Sequence, residues 1–184
     1  MKVTLIVRPR RFFKTSILSM VDQWFNCKEP KFIFSGTDIL KHVTPDIVSS
    51  REHLESIFLT FKNIDAKTFN NLYSGLRKCF RSIFFQYEDL YEEYILKYGQ
   101  THATNPREKV LLIMEEFVSF LEYLSLKKEK KFVILIDEYD KVLMDAANKE
   151  EETVNGYFDN VLDIYRNFLN SLLKDTPFVE KGRF

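Results

Sequence analysis

The apolar run Phe132–Ile136 (FVILI) constrains the fold more than any other part of this 184-residue sequence. Uninterrupted apolar runs of this length are typical of strands buried on both faces, and such strands belong to parallel sheets covered by helices. Val3–Val7 (VTLIV) has the same character, and Ile57–Lys62 (IFLTFK) alternates as a strand does. The sequence therefore predicts three strands of a parallel sheet.

Helical patterns separate these strands. Apolar residues recur at helical spacing in four segments, which are residues 14–29, 69–94, 106–127 and 154–172. The second segment is long for a globular helix, which predicts a kink or break. Asn105-Pro106-Arg107-Glu108 is typical of a helix start, and the last stripe, which includes Phe158, is expected to face the core. Residues 30–55 are predicted to be irregular. Strands that alternate with helices indicate an α/β fold.

Composition excludes several classes of protein. Lys plus Arg and Asp plus Glu both number 27, so the formal net charge is zero and direct binding of nucleic acid is not expected. Cys27 and Cys79 form no CxxC pair, which argues against a disulfide scaffold and a zinc site. No apolar run approaches the ~20 residues that span a bilayer. We therefore expect a soluble, intracellular and cytoplasmic protein that does not bind membranes.

The first segment with chemical potential follows the strand Val3–Val7. An arginine-rich turn, Arg8–Arg11, leads to Lys14-Thr15 at the start of a helix. The N-terminus of a helix favours a phosphate group, because its N–H groups are unpaired and its dipole is positive there. A lysine at this place can reach phosphates, and a hydroxyl can ligate Mg²⁺.

The second segment is the acidic pair Asp137-Glu138, directly after the strand Phe132–Ile136. At the carboxyl edge of a parallel sheet, one acid can hold Mg²⁺ while its neighbour orients or deprotonates water. In this order, the two segments are typical of a P-loop NTPase.

Two motifs carry a family resemblance. Val7–Thr15 (VRPRRFFKT) is similar to a Walker A signature of the type TRPRRFGKT/S, and Val133–Asp140 (VILIDEYD) is similar to a Walker B signature of the type VLIDEYD. The chain thus resembles the AAA-ATPase-like family, whose members are often joined to a PD-(D/E)XK nuclease-like domain. The resemblance covers nearly the whole chain. It implies a P-loop NTPase fold of three α/β/α layers around a parallel sheet.

The resemblance also implies Mg-ATP as ligand and ATP hydrolysis as activity. Lys14 would clamp the phosphates, Thr15 and Asp137 would hold Mg²⁺, and the catalytic Glu138 would activate water. The nucleotide-binding positions are then Arg10, Arg11, Phe13, Lys14 and Thr15.

The chain departs from the family pattern in two ways. Phe13 stands where the family has the glycine before the lysine, and a benzyl group there would crowd the phosphates. The chain also stops near Glu180–Phe184, where the next strand of an AAA-type sheet would begin and carry a sensor residue. Residues 1–184 are therefore interpreted as the N-terminal part of one AAA-ATPase-like domain, truncated after the Walker B helix. We expect weak or absent ATP binding and impaired hydrolysis.

The alternative function is a diverged or truncated remnant without catalysis, which acts as a protein-interaction module or associates with itself. A nucleic-acid-associated module, by analogy with the nuclease partner domain, is disfavoured by the zero net charge. Two neighbours of the acidic pair are assigned structural roles. Asp140 is expected to cap the following helix, and Tyr139 is expected to pack.

Overall fold

The computed structural model describes residues 13–99, 102–148, 156–173 and 177–179. The predicted strand Val3–Val7 and the arginine-rich turn lie outside the described residues. The helices are α1 (Lys14–Asn26), α2 (Pro30–Ile33), α3 (Pro45–Ser50), α4 (Phe69–Gln86), α5 (Glu88–Tyr98), α6 (Pro106–Lys128), α7 (Lys141–Ala147) and α8 (Tyr157–Leu173), with a 3-10 helix at Asp38–Lys41. The strands are β1 (Leu54–Thr60) and β2 (Lys131–Asp137), so helices and strands alternate as in an α/β protein.

Strands β1 and β2 pair in parallel, with Leu54 opposite Lys131 and Thr60 opposite Asp137. The strand predicted at Phe132–Ile136 is confirmed, with one more residue at each end, whereas the strand predicted at Ile57–Lys62 begins and ends earlier. On the other side of β2, the Phe132 N–H donates to the Phe178 carbonyl at 2.7 Å, next to a parallel bridge with Val179. β2 therefore has parallel partners on both sides.

The predicted break in the long helical segment is confirmed at Tyr87, which separates α4 from α5 with φ −126° and ψ 42°. Its hydroxyl donates to the Glu55 carboxylate on β1, and the Lys128 ammonium lies 4.5 Å from its ring centre. These contacts tie the break to the sheet. The predicted start of α6 is also confirmed, because the Asn105 side chain accepts the Glu108 N–H at 2.9 Å.

Three structural expectations are wrong. Residues 30–55 are not irregular: they contain α2, the 3-10 helix, α3 and the start of β1, and the Thr44 hydroxyl accepts the Ile47 N–H at the start of α3. Asp140 holds the N-cap position of α7 without a side-chain capping bond, because its own φ and ψ are already helical. Phe158 is 38% exposed, whereas its stripe neighbours Val161 and Tyr165 are buried.

The core is built mainly from aromatic and aliphatic side chains of α4, α6 and α8. α4 packs against α6, α6 packs against α8, and α1 contacts both strands. The Phe80 and Phe117 rings stack with centres 4.1 Å apart, and both side chains are fully buried. Of the helices in the described parts of the chain, none is long and apolar enough to cross a membrane.

The Asn26 side chain, at the C-terminal end of α1, hydrogen-bonds to the Ser56 backbone of β1 through both its oxygen and its nitrogen, as the backbone of a neighbouring strand would. Asn26 accepts the Ser56 N–H through Oδ1 at 2.9 Å and donates from Nδ2 to the Ser56 carbonyl at 3.0 Å. The Arg51 guanidinium donates to the backbone carbonyls of Trp24 and Cys27, both at 2.5 Å. The last turn of α1 is thus held from two directions.

Candidate functional site

The start of α1 meets the end of β2 through Thr15 and Asp137. The Thr15 hydroxyl donates to the Asp137 carboxylate, with Oγ1 and Oδ2 2.7 Å apart, although 122 positions separate the two residues in sequence. Asp137 is only 5% exposed. The fold therefore brings into contact two residues that the sequence assigns to one magnesium site.

The second oxygen of the Asp137 carboxylate, Oδ1, accepts the Glu138 N–H at 3.1 Å. A buried carboxylate needs such donors or a cation, because its charge is poorly solvated. Carboxylate and hydroxyl oxygens are ligands that suit Mg²⁺. The described residues contain no cluster of three or more His, Cys, Asp or Glu side chains for a metal. Thr15 and Asp137 therefore have the ligand chemistry that suits a magnesium ion, whose other ligands would have to come from phosphates and water.

The N-terminus of α1 has the general features that favour an anion. Its first N–H groups have no partner within the helix, and the dipole is positive there. The first turn, Lys14–Ile17, is described in full and contains no acidic residue. Lys14 is half-buried at this end. A phosphate group would therefore find both N–H donors and a lysine at this end of the helix.

Phe13 has the left-handed backbone conformation, with φ 52° and ψ 26°, and its side chain is 74% exposed. Its carbonyl accepts the Ile17 N–H at 2.9 Å and so begins α1. This conformation costs a non-glycine residue about 1–2 kcal/mol, whereas glycine adopts it readily. The structure therefore adds a backbone reason for a glycine at this position, besides the space that phosphates need.

Glu138 also has a positive φ, of 52°, and its side chain is exposed. Its carbonyl accepts the Lys141 N–H at 3.1 Å, which closes a tight turn between β2 and α7. Left-handed non-glycine residues are uncommon, and they concentrate at functional sites. The Glu138 N–H and the Thr15 hydroxyl donate to different oxygens of the same Asp137 carboxylate.

The model of the AAA-ATPase-like family, whose description is "predicted AAA-ATPase", matches residues 1–182 of the chain. The chain belongs to this family. No curated protein and no solved structure gives a significant match. The family agrees with the general ATPase interpretation of the sequence, whereas the roles of the individual motif residues and the link to a nuclease-like domain stay predictions.

The predicted site residues of this AAA-ATPase-like chain fall into two groups. Arg10 and Arg11 lie outside the described residues. The others cluster where α1 begins and β2 ends, namely Phe13, Lys14, Thr15, Asp137 and Glu138.

Two open grooves lie away from this cluster. One, of about 580 Å³, is lined mainly by Trp24 and residues 40–52, and the other, of about 600 Å³, by residues 28–35 and Arg51. Neither groove includes a residue of the cluster.

Sequence reasoning missed the residues that support the acidic turn (residues 137–140) of the AAA-ATPase-like chain. The Phe61 N–H donates to the Asp137 carbonyl at 3.0 Å, and the Tyr165 hydroxyl donates to the Tyr139 carbonyl at 2.6 Å. Tyr139 was expected to pack, but its side chain is 41% exposed and its backbone makes the structural contact. Tyr165 looked like an ordinary core residue, because only its helical spacing is visible in the sequence.

Proposed function

We propose that this AAA-ATPase-like domain binds Mg-ATP where α1 begins and β2 ends, and that Phe13 keeps the affinity low. The contact between the Thr15 hydroxyl and the buried Asp137 carboxylate carries this proposal. In a P-loop NTPase, a hydroxyl of the phosphate loop and an acid of the Walker B strand hold the same magnesium ion. The proposal includes a P-loop arrangement of three layers, of which the strand Val3–Val7 would be part.

The proposed roles follow from chemistry and position. Lys14 binds the phosphates together with the first N–H groups of α1, and Arg10 and Arg11 are proposed to bind them as well. Thr15 and Asp137 hold the magnesium ion. Mg²⁺ would neutralise charge on the phosphate oxygens.

Glu138 is the proposed general base. Its carboxylate takes a proton from the water that attacks the γ-phosphorus, the bond from that phosphorus to the bridging oxygen breaks, and ADP and phosphate are released. Its exposed side chain, next to Asp137 in sequence, is accessible to water.

Phe13→Gly is expected to strengthen binding of Mg-ATP at least about tenfold, which corresponds to about 1.4 kcal/mol. The change removes the benzyl group from the phosphate loop and lets the backbone adjust to the phosphates, because glycine accepts conformations that a residue with a side chain does not. Calorimetric titration would measure a dissociation constant above about 10 μM for the unchanged chain and a lower one for the variant.

Phe13→Ala is the matched control, because it removes the ring but keeps a Cβ at the same φ. An improvement equal to that of glycine would assign the defect to crowding alone, and a smaller one would assign part of it to the backbone. Thr15→Val, in the Phe13→Gly chain, should abolish the gain. Tight binding by the unchanged chain would contradict the role of Phe13. No binding by either chain would contradict the proposed function and favour a non-catalytic interaction module.

A further inference from the structure

A buried tyrosine of α8 supports the acidic turn through a hydrogen bond to its backbone. Tyr165 is 2% exposed, and its hydroxyl donates to the Tyr139 carbonyl at 2.6 Å. Burial, followed by the nearby Asp140, raises the pKa of this hydroxyl far above its usual range. The hydroxyl therefore stays protonated and remains a donor at any working pH.

The same side chain is connected to the other end of the turn. The Tyr165 ring meets the Phe61 ring edge to face, with centres 6.0 Å apart. The Phe61 N–H in turn donates to the Asp137 carbonyl at 3.0 Å. The two carbonyls that flank Glu138 in sequence are thus held by neighbouring groups, one from α8 and one from the residue that follows β1.

Glu138 needs this support, because its φ of 52° is unfavourable for a residue with a side chain. Strained conformations persist only where the surrounding contacts over-determine them. The Lys141 N–H, which donates to the Glu138 carbonyl, closes the turn. Without the Tyr165 hydroxyl, the turn would keep this bond and the bond from Phe61, but it would lose the contact that holds its Tyr139 side to the core.

We propose that Tyr165 is the positioning residue of the acidic turn: its hydroxyl holds the Glu138 backbone in the left-handed conformation and so fixes the general base beside Asp137. This inference rests on the proposed function of Glu138. Tyr165 does not touch the reacting groups, and it acts only through the Tyr139 carbonyl. A general base that is displaced by an ångström loses much of its effect, although ligand binding is unchanged.

The chain offers a matched control on the same helix. Tyr157 is also buried, and its hydroxyl donates to the Ala66 carbonyl at 2.7 Å, away from the acidic turn. Tyr165→Phe and Tyr157→Phe each remove one hydroxyl that bonds to a carbonyl. We expect Tyr157→Phe to destabilise the fold at least as much, because Ala66 is fully buried and its carbonyl would lose its partner, whereas Tyr139 is open to water.

Two measurements test the proposal. Hydrogen exchange of the Lys141 amide, followed by NMR, should become about fivefold faster in Tyr165→Phe, as expected for one lost hydrogen bond, and change less than about twofold in Tyr157→Phe. In the Phe13→Gly chain, Tyr165→Phe should lower kcat for ATP hydrolysis about tenfold and leave KM within about twofold, whereas Tyr157→Phe should leave both unchanged.

Unchanged exchange at Lys141 in Tyr165→Phe would overturn the proposal, and so would equal acceleration in both variants, which would indicate general loosening. A kcat that Tyr165→Phe leaves unchanged would also overturn it. If the Phe13→Gly parent hydrolyses no ATP, the proposed function fails, and the exchange of Lys141 alone then decides whether Tyr165 holds the turn.

Discussion

Glu138→Gln, made in the Phe13→Gly chain, is expected to lower kcat for ATP hydrolysis by about 10²- to 10⁴-fold. Glutamine keeps the size and hydrogen-bonding shape of the side chain but cannot take a proton from water. Since Lys14, Thr15 and Asp137 are untouched, the affinity for Mg-ATP should stay within about threefold of the parent. Phosphate release and calorimetric titration would measure the two effects separately.

Asp140→Asn is the control for this experiment. Asp140 is another exposed acid of the same turn, and it makes no capping bond. Its replacement changes the local charge equally but should leave kcat within about twofold, because the residue has no proposed part in proton transfer. Equal losses in the two variants would assign the effect to charge rather than to a general base, and no loss in Glu138→Gln would remove Glu138 from the mechanism.

Phe117→Ala is expected to lower the free energy of unfolding by about 3–5 kcal/mol, which is a large part of the stability of an ordinary domain. Phe117 is fully buried on α6 and stacks on Phe80 of α4, and its ring centre lies 6.1 Å from that of Phe84. Alanine would leave a cavity between the two helices. Urea denaturation, followed by circular dichroism, would measure the loss.

The control for Phe117 is Phe85→Ala on α4. The Phe85 ring is 54% exposed, with the Arg81 guanidinium 4.7 Å from its centre. Its loss should cost at most about 1 kcal/mol, because little apolar area returns to water and an exposed cation–π contact is weak. Similar costs for the two variants would mean that the interface between α4 and α6 does not stabilise the domain.

The parts of the fold that the sequence predicted well have strong local signals. The strand Phe132–Ile136 is a continuous apolar run, and Asn105-Pro106 combines a cap with a proline at the first helical position. The break near Tyr87 was expected from length alone, but its position depends on contacts with Glu55 and Lys128, which only the fold brings near. In residues 30–55 the proline at the start of α3 and its Thr44 cap were hidden among other turn-forming residues.

The candidate site also has a part that the sequence predicts and a part that only the fold shows. Thr15 and Asp137 could be singled out from the sequence, because each lies in a motif whose residue types suit phosphate and magnesium. Their hydrogen bond, the left-handed backbone of Phe13 and Glu138, and the support from Tyr165 could not. These features arise from tertiary packing, for which residue spacing contains no signal.

The attachment of Asn26 to Ser56 is one of the contacts that restrict how α1 can move. The helix is fixed at its C-terminal end to the sheet, while its N-terminal end carries Lys14 and Thr15. A shift along the helix axis would break both amide bonds, whereas a rotation about Asn26 would keep them. Thr15 lies about 16 Å from that pivot, at 1.5 Å of rise per residue, so a tilt of about 5° would move its hydroxyl by about 1.4 Å. The distance between Thr15 and Asp137 is therefore sensitive to small changes in the tilt of α1 against the sheet.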